Sequence, residues 1–264
     1  MPDESPYETD ALLSQYLMFH YGDVMAASPR VSPPPDSMDF HARCAALAIE
    51  FTAPEHRRRA IDIGCGVGRA TFELCRACGE VIGIDYSKKF IAACAALKRD
   101  GRMSYGHPIE GDIMAEASAC VPPDIAREKA HFAEGDACAL GGELGVFGVV
   151  LMVNLLDRLA EPRSCLAGVP AHIEPGGTLV VATPCTWLPE FTPRENWLGG
   201  RIVGGVAIRT REALEAALSG DFRLVATRDM PFLIPEHARK FQWSIALTTV
   251  WRKRAAHEQK ETRR

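Results

Sequence analysis

The residues best placed to do chemistry sit in one repeating frame, Asp62-x-Gly64-x-Gly66-x-Gly68, where the apolar run Ala60–Ile63 breaks into a turn. Glycines at alternate positions let a backbone bend freely and pass close to a ligand without Cβ atoms in the way. A second apolar run ends in Asp85, seventeen residues beyond Gly68. That is near the spacing at which a βαβ unit presents an acid to a ribose. A dinucleotide fingerprint, G-x-G-x-x-G, would need its third glycine at position 69, where this chain has Arg69. The nucleotide is therefore expected to be of another kind.

Further candidates lie at the ends of later apolar runs. Asn154 closes Gly148–Val153, a continuous run typical of a central parallel strand. An amide there either faces a ligand, because open α/β sheets bind ligands at the carboxyl ends of their strands, or bonds its own turn. Gly135-Asp136-Ala137 ends the run 130–134. The irregular stretch Pro184–Gly200 is rich in Trp, Arg, Glu and Asn. In it Trp187 and Trp197 can wall a site while Arg194 and Glu195, with Asn196 beside them, supply opposite charges for a small aromatic zwitterion. A rim ion pair over packed tryptophans is the competing reading. His237 and Arg239, in a connector expected between strands at 224–228 and 243–251, can meet a carboxylate if that connector arches over the same cleft; Lys240 reads as a solvated charge. Tyr7, Gln15 and His20 punctuate an otherwise apolar first helix.

The elements that must position these groups follow from their punctuation. Ser5-Pro6-Tyr7-Glu8 reads as a capping box opening a helix that stops at Gly22. The proline-rich run from Asp23 to Asp36 reads as an extended connector, followed by a helix over 39–51. Helices are expected over 69–78, 87–99, 163–173 and 210–219, the last with Thr210 as N-cap. Residues 101–129 read as an insertion over one sheet edge containing a short helix. Strand three falls at 130–134 and strand five at 178–183. These elements predict an α/β, Rossmann-like fold. Residues 1–55 form a helical cap and connector, 56–254 the main domain, and 255–264 a basic tail.

Composition narrows the classes. The chain has 264 residues, 47% hydrophobic and 24% charged, with a net charge of −4, which gives no electrostatic reason to expect nucleic acid or a membrane surface as partner. No apolar run has membrane-spanning length and the opening residues lack a basic signal-peptide start, so a cytoplasmic location is expected. Nine scattered cysteines suit a reducing compartment. Cys75-Arg-Ala-Cys78 has no second Cys/His pair at zinc spacing, and no metal is expected.

The frame from Asp62 to Gly68 with Asp85 resembles motif I of the S-adenosylmethionine (SAM) methyltransferases. The resemblance implies a seven-stranded fold and SAM as cofactor, with Asp62 toward the ammonium and Asp85 toward the ribose diol. Cofactor contacts then fall on Asp62, Gly64, Cys65, Gly66, Gly68, Arg69, Asp85, Tyr86, Asp136, Ala137 and Asn154, with Asp136 holding the adenine amino group. Outside that core, Tyr7–Thr9, Ser14–Gly22, Thr186–Gly200 and Asp229–Trp243 resemble the 5-thiohistidine N-methyltransferases of ovothiol biosynthesis. This narrower resemblance implies methylation of an imidazole nitrogen of 5-thiohistidine to ovothiol A. Tyr7, Gln15, His20 and Asn154 would hold the ring, and Glu8, Trp187, Arg194, Glu195, Asn196, His237 and Arg239 would bind the rest of the substrate. It also implies a separate iron-dependent sulfoxide synthase as partner. The alternatives are a methyltransferase for another small metabolite, or a non-enzymatic SAM-binding subunit of such a synthase.

Overall fold

A computed structural model describes residues 6–22 and 32–255. Ser5, most of the expected connector and the tail from residue 256 lie outside the described residues. The strands are β1 (Arg59–Ile63), β2 (Glu80–Asp85), β3 (Arg102–Glu110), β4 (Ile113–Cys120), β5 (Ala130–Glu134), β6 (Phe147–Val153), β7 (Ile173–Thr183), β8 (Arg201–Val203), β9 (Val206–Ile208), β10 (Phe222–His237) and β11 (Lys240–Lys253). The helices are α1 (Asp10–Tyr21), α2 (Phe40–Glu50), α3 (Arg69–Leu74), α4 (Lys88–Asp100), α5 (Pro162–Gly168) and α6 (Thr210–Leu218).

Seven strands form one sheet in the order β10-β11-β7-β6-β1-β2-β5. Its pairs are parallel except where β11 runs antiparallel to β7 and β10. Every residue of β6 is buried, as a central parallel strand covered on both faces requires. One apolar layer packs side chains of α1 to α4, including Leu17, Phe72 and Phe90, on the sheet. The opposite layer packs Leu166, Leu214 and Trp251 against Ile61, Ile63 and Phe147. The strand order reverses at β1 and β6, so the crevice that binds ligands opens at their carboxyl ends.

Several expectations are corrected. The first helix starts at Asp10 with Thr9 as N-cap, accepting from the Leu12 N–H at 3.2 Å, while Tyr7 and Glu8 lie in a preceding 3-10 turn. Helix α3 ends at Leu74, four residues early. Cys75 and Cys78 are both 1% exposed, and burial pushes their thiols up to about 12 and about 11, which makes them inert apolar filling. The insertion contains the antiparallel hairpin β3–β4 and a 3-10 turn at Arg127–Lys129. In it Tyr105 and His107 alternate inward with a period of two. The connector at 230–241 is strand: β10 and β11 pair from Phe222–Lys253 to His237–Lys240. Pro231 and Pro235 argued against strand there, but β10 is the edge of the sheet, where a residue without an N–H is tolerated. Strand β7 begins at Ile173, five residues before the expected 178. Thr210 is the first residue of α6, preceded by Arg209 as N-cap.

The extended part of β10 and the β3–β4 hairpin both contact α1. Phe232 of β10, 1% exposed, stacks 4.6 Å from Phe40 and lies 5.8 Å from Phe19 of α1. On the other side the Tyr105 hydroxyl donates to Met18 Sδ at 3.2 Å. Phe232→Ala should therefore cost about 3–5 kcal/mol, measured by chemical denaturation, and speed amide exchange in α1 more than in β1. Unchanged exchange in α1 would show that β10 does not clamp it.

Candidate active site

Strand β1 delivers the glycine turn. Gly64, Gly66 and Gly68 have φ of 75°, 55° and 83°, the left-handed region that glycine enters without penalty. The Gly64 and Cys65 N–H groups both donate to the Ile84 carbonyl, at 2.8 and 2.9 Å, tying the turn to β2. Asp85 accepts from the Gly66 N–H at 2.9 Å and the Ser87 N–H at 3.0 Å. A carboxylate has about four lone-pair sites, so two remain for a diol. Burial pushes the Asp85 carboxyl up to about 6, against the backbone hydrogen bonds that lower it. Tyr86, 74% exposed, stands beside it.

Asp62 is 1% exposed and accepts from Thr71 Oγ1 at 2.8 Å. Burial pushes its carboxyl up to about 7. It ties β1 to α3, so the structure gives it an internal partner where an open acceptor was expected. Arg69 also turns away from the glycine loop: it pairs with Glu73 at 3.0 Å and lies 5.6 Å from the Tyr21 ring centre. Cys65 is buried, and Ala137 packs in the second apolar layer. Asp136 Oδ1 accepts from the Cys138 N–H at 2.8 Å, leaving its other oxygen for an exocyclic amine.

Asn154 closes β6 in the left-handed region, which asparagine tolerates. Its φ is 52°, its N–H donates to the Ala182 carbonyl at 2.8 Å, and its Oδ1 is buried without a partner. The competing reading of Asn154, an amide bonding its own turn through Oδ1, has no hydrogen bond in this geometry. Left-handed backbone at a non-glycine residue recurs at ligand sites. The next residue, Leu155, fits against Gly64: a Cβ there would lie 2.7 Å from Leu155 Cδ1.

Helix α1 lies across the turn. A Cβ on Gly66 would sit 3.1 Å from His20 Cε1 and 3.3 Å from Tyr16 Cδ1. Tyr21 donates to the Val67 carbonyl at 2.9 Å. His20 stacks on His41 with 3.5 Å between ring centres, and its Nδ1 is buried without a partner. Burial, with His41 and Arg69 adding like charge, holds His20 well below its ordinary range, and burial with Arg69 and Arg43 lowers His41 to about 3. Both rings are neutral at physiological pH. Tyr7 meets Tyr16 and Phe90 edge-on and accepts the Tyr16 hydroxyl, and burial raises both phenols. Its carbonyl accepts from Ser87 Oγ at 3.0 Å, and Glu8 Oε1 accepts the Lys88 N–H at 3.0 Å, capping α4. Gln15 is half-buried on the same helix.

The loop after β7 contributes differently from expectation. Trp187 is buried in the second apolar layer with its Nε1 donating to Thr210 Oγ1 at 2.9 Å. Arg194 is exposed, 5.4 Å from the Trp197 ring centre. Exposed Glu195 accepts Arg201 through its carbonyl, and Asn196 donates to Ala160 and Glu161. His237 and Arg239 sit at the β10–β11 tip, where the Arg239 N–H donates to His237 Nδ1 at 3.2 Å. None of these six shares a contact with the group around Gly66. The loop residue that reaches it is Phe191, 6.3 Å from Tyr7, with the Arg158 guanidinium 4.8 Å from its ring centre.

Sequence reasoning passed over Tyr16, counted among the apolar positions of α1, and His41, Asp157, Arg158 and Phe191. Asp157 left a signal, since it follows Asn154 by three residues at the ligand edge. It is 0% exposed, accepts the Thr186 N–H at 2.9 Å through Oδ2 and holds Arg158 at 3.3 Å. Among the described residues, no group of three or more His, Cys, Asp or Glu is arranged to hold a metal ion.

Two outcomes test this arrangement. Gly66→Ala should strain the turn and press on His20, weakening SAM binding at least about tenfold by calorimetry. Asp62 and Asp85 have raised folded-state pKa values, so each contributes stability that is fully present below about pH 4 and lost as pH rises through 6 and 7. The denaturation midpoint should fall across that window, and less steeply in Asp62→Asn, which keeps the Thr71 hydrogen bond without the charge.

Residues 61–181 match the family described as a methyltransferase domain. A ubiquinone biosynthesis O-methyltransferase of Ralstonia nicotianae is 25% identical over 135 residues, covering 51% of this chain and 47% of its own length. One from Methylococcus capsulatus is 27% identical over 126 residues, covering 48% and 43%. The chain thus spans less than half the length of the curated relatives it matches. The N-methyltransferase NodS of Bradyrhizobium japonicum, solved with S-adenosyl-L-homocysteine, shares the fold with a TM-score of 0.52 at 18% identity, over 91% of this chain and 98% of that one. The [4+2]-cyclase SpnF shares it with a TM-score of 0.55 at 16% identity, over 94% and 98%. Residues 61–181 thus match a methyltransferase-domain family, and the glycine turn, Asp85 and the sheet order β10-β11-β7-β6-β1-β2-β5 sit on the Rossmann-like fold that these solved structures share.

Proposed function

We propose that the chain transfers the methyl group of SAM to an imidazole nitrogen of 5-thiohistidine, giving ovothiol A. The seating of α1 carries this reading. Its Tyr16 and His20, roughly parallel, rest on Gly66, and the flanking Tyr7 meets Tyr16 edge-on, an aromatic wall at the cofactor turn. The same segment is among those that resemble 5-thiohistidine methyltransferases. The curated relatives are O-methyltransferases acting in ubiquinone biosynthesis, which supports methylation of another small metabolite as the second reading.

Bound SAM supplies a methyl group on a sulfonium. The acceptor nitrogen's lone pair forms the N–C bond while the C–S bond breaks and its electrons return to sulfur. A thiolate on the ring makes that lone pair electron-rich and the second nitrogen keeps its proton, so no strong general base is needed. Catalysis then rests on aiming the ring. Tyr7, whose oxygen accepts from Tyr16, keeps its own proton to donate to the acceptor. Neutral His20 and the unpartnered Asn154 Oδ1 select one tautomer and face. Arg158, positioned by Asp157, takes the acceptor carboxylate in place of Arg194 or Arg239. Packing of α1 over the turn keeps water from the methyl group.

Incubation of the full chain with SAM and 5-thiohistidine should add one methyl to the substrate by mass spectrometry. Methylation of histidine in preference to its thiolated form would refute the proposal, and transfer only to a phenol or catechol would favour the second reading. Arg158→Ala should raise KM for the acceptor about ten- to a hundredfold with a smaller change in kcat. Wild-type KM would remove Arg158 from the acceptor site.

A further inference from the structure

Beyond the methyl-transfer crevice, a groove of about 1110 Å³ lies among the end of the β7 loop, the β8–β9 hairpin and the start of α6. Four arginines line it, Arg194, Arg201, Arg209 and Arg211, against two acids, Glu212 and Glu215. It shares no residue with the glycine turn or with the contacts of α1.

Backbone geometry forces three of these arginines together. Gly199 lies so close to the start of α6 that a Cβ there would fall 2.1 Å from the Thr210 nitrogen. The Gly200 N–H donates to the Ile208 carbonyl at 2.8 Å, and Arg201 is the register partner of Ile208. Ile208 leads straight into Arg209, so Arg201 and Arg209 line one groove, and Arg194 lines it from the turn before Gly199.

The charges in the groove do not cancel. Arg211 pairs with Glu215 at 2.8 Å. Glu212 receives the backbone N–H of Arg209 at 3.4 Å, and no guanidinium. Among the described residues, Arg194, Arg201 and Arg209 have no carboxylate within ion-pair distance. Arg201 spends one nitrogen on the Glu195 carbonyl, and its Nε is buried with no partner at all. Like charges gathered in one groove repel, and a buried N–H without an acceptor is costly. An oxyanion relieves the repulsion, since the planar guanidinium fork matches carboxylate and phosphate oxygens two at a time.

We infer that this groove is a binding site for a compact oxyanion, a carboxylate or phosphate group on a small molecule, held by Arg201 and Arg209 with Arg194 at its rim. The site is independent of which acceptor is methylated. Its occupant meets the groove-lining guanidinium groups of Arg201 and Arg209, while Arg211 remains engaged with Glu215.

The test titrates the full chain with inorganic phosphate and, separately, with succinate at constant ionic strength, using chloride as the control. The Arg201 Nε–H resonance should shift saturably with one or both oxyanions and stay put with chloride. The tighter of the two identifies the group recognised. By calorimetry, Arg201→Gln and Arg209→Gln should each weaken binding about ten- to a hundredfold, with SAM affinity unchanged as the check on folding; Arg209→Gln decides the matter if Arg201→Gln does not fold. Arg211→Gln should change it less than about threefold. A shift that never saturates, equals that of chloride, or survives both substitutions would overturn the site. Binding is read without methyl transfer, so failure of the proposed reaction leaves this result standing.

Discussion

The structure depends on a backbone left bare at Gly66. Its left-handed φ lets β1 double back toward β2, and its missing side chain lets the rings of Tyr16 and His20 lie on the turn itself. Two consequences meet at that point. The turn is stitched to β2 through the Ile84 carbonyl and the Asp85 carboxylate, which shapes the cofactor edge. A helix from the start of the chain becomes a wall of the same site.

That wall is held by apolar contacts made far away in sequence. The Tyr105 hydroxyl reaches Met18 on one side, and Phe232 packs against Phe19 and Phe40 on the other. Polar links fasten its leading end, where Ser87 and Lys88 bond Tyr7 and Glu8. The hairpin inserted after α4 and the extension of β10 are the elements that add to the core sheet, and both serve α1. Helix α1 and the β10 extension lie outside the matched stretch 61–181, and the hairpin is an insertion within it.

Burial sets the chemistry of what lies beneath. The two imidazoles, stacked and desolvated, are neutral, and the phenols of Tyr7 and Tyr16 keep their protons. On the α1 side of the turn the chain therefore presents neutral imidazole and phenol groups, while the carboxyls of Asp62 and Asp85 beneath them titrate near 7 and 6. The uncompensated charge gathers elsewhere, in the groove beyond β7 that Arg194, Arg201 and Arg209 line.

The sequence by itself determined the cofactor half of the protein. Glycine spacing, the acids at 62 and 85 and the apolar runs are local patterns, and local patterns encode a βαβ turn because φ freedom and burial on both faces leave few alternatives. Even there it missed what Asp62 bonds, since a buried hydrogen bond to Thr71 has no spacing signature. It failed most where a local signal and the tertiary setting disagreed. Prolines at 231 and 235 argued against strand, yet only the sheet order shows that β10 is an edge. The Gly, Pro and alternating residues of 101–129 concealed a hairpin whose partner is α1. Tryptophans and charges at 187–196 looked like a site, and burial against Thr210 and Glu161 turned several of them into structure. Which groups gather beside the glycine turn was decided only by the tertiary structure, because Tyr16, His41, Arg158 and Phe191 are linked through packing between segments that no periodicity relates.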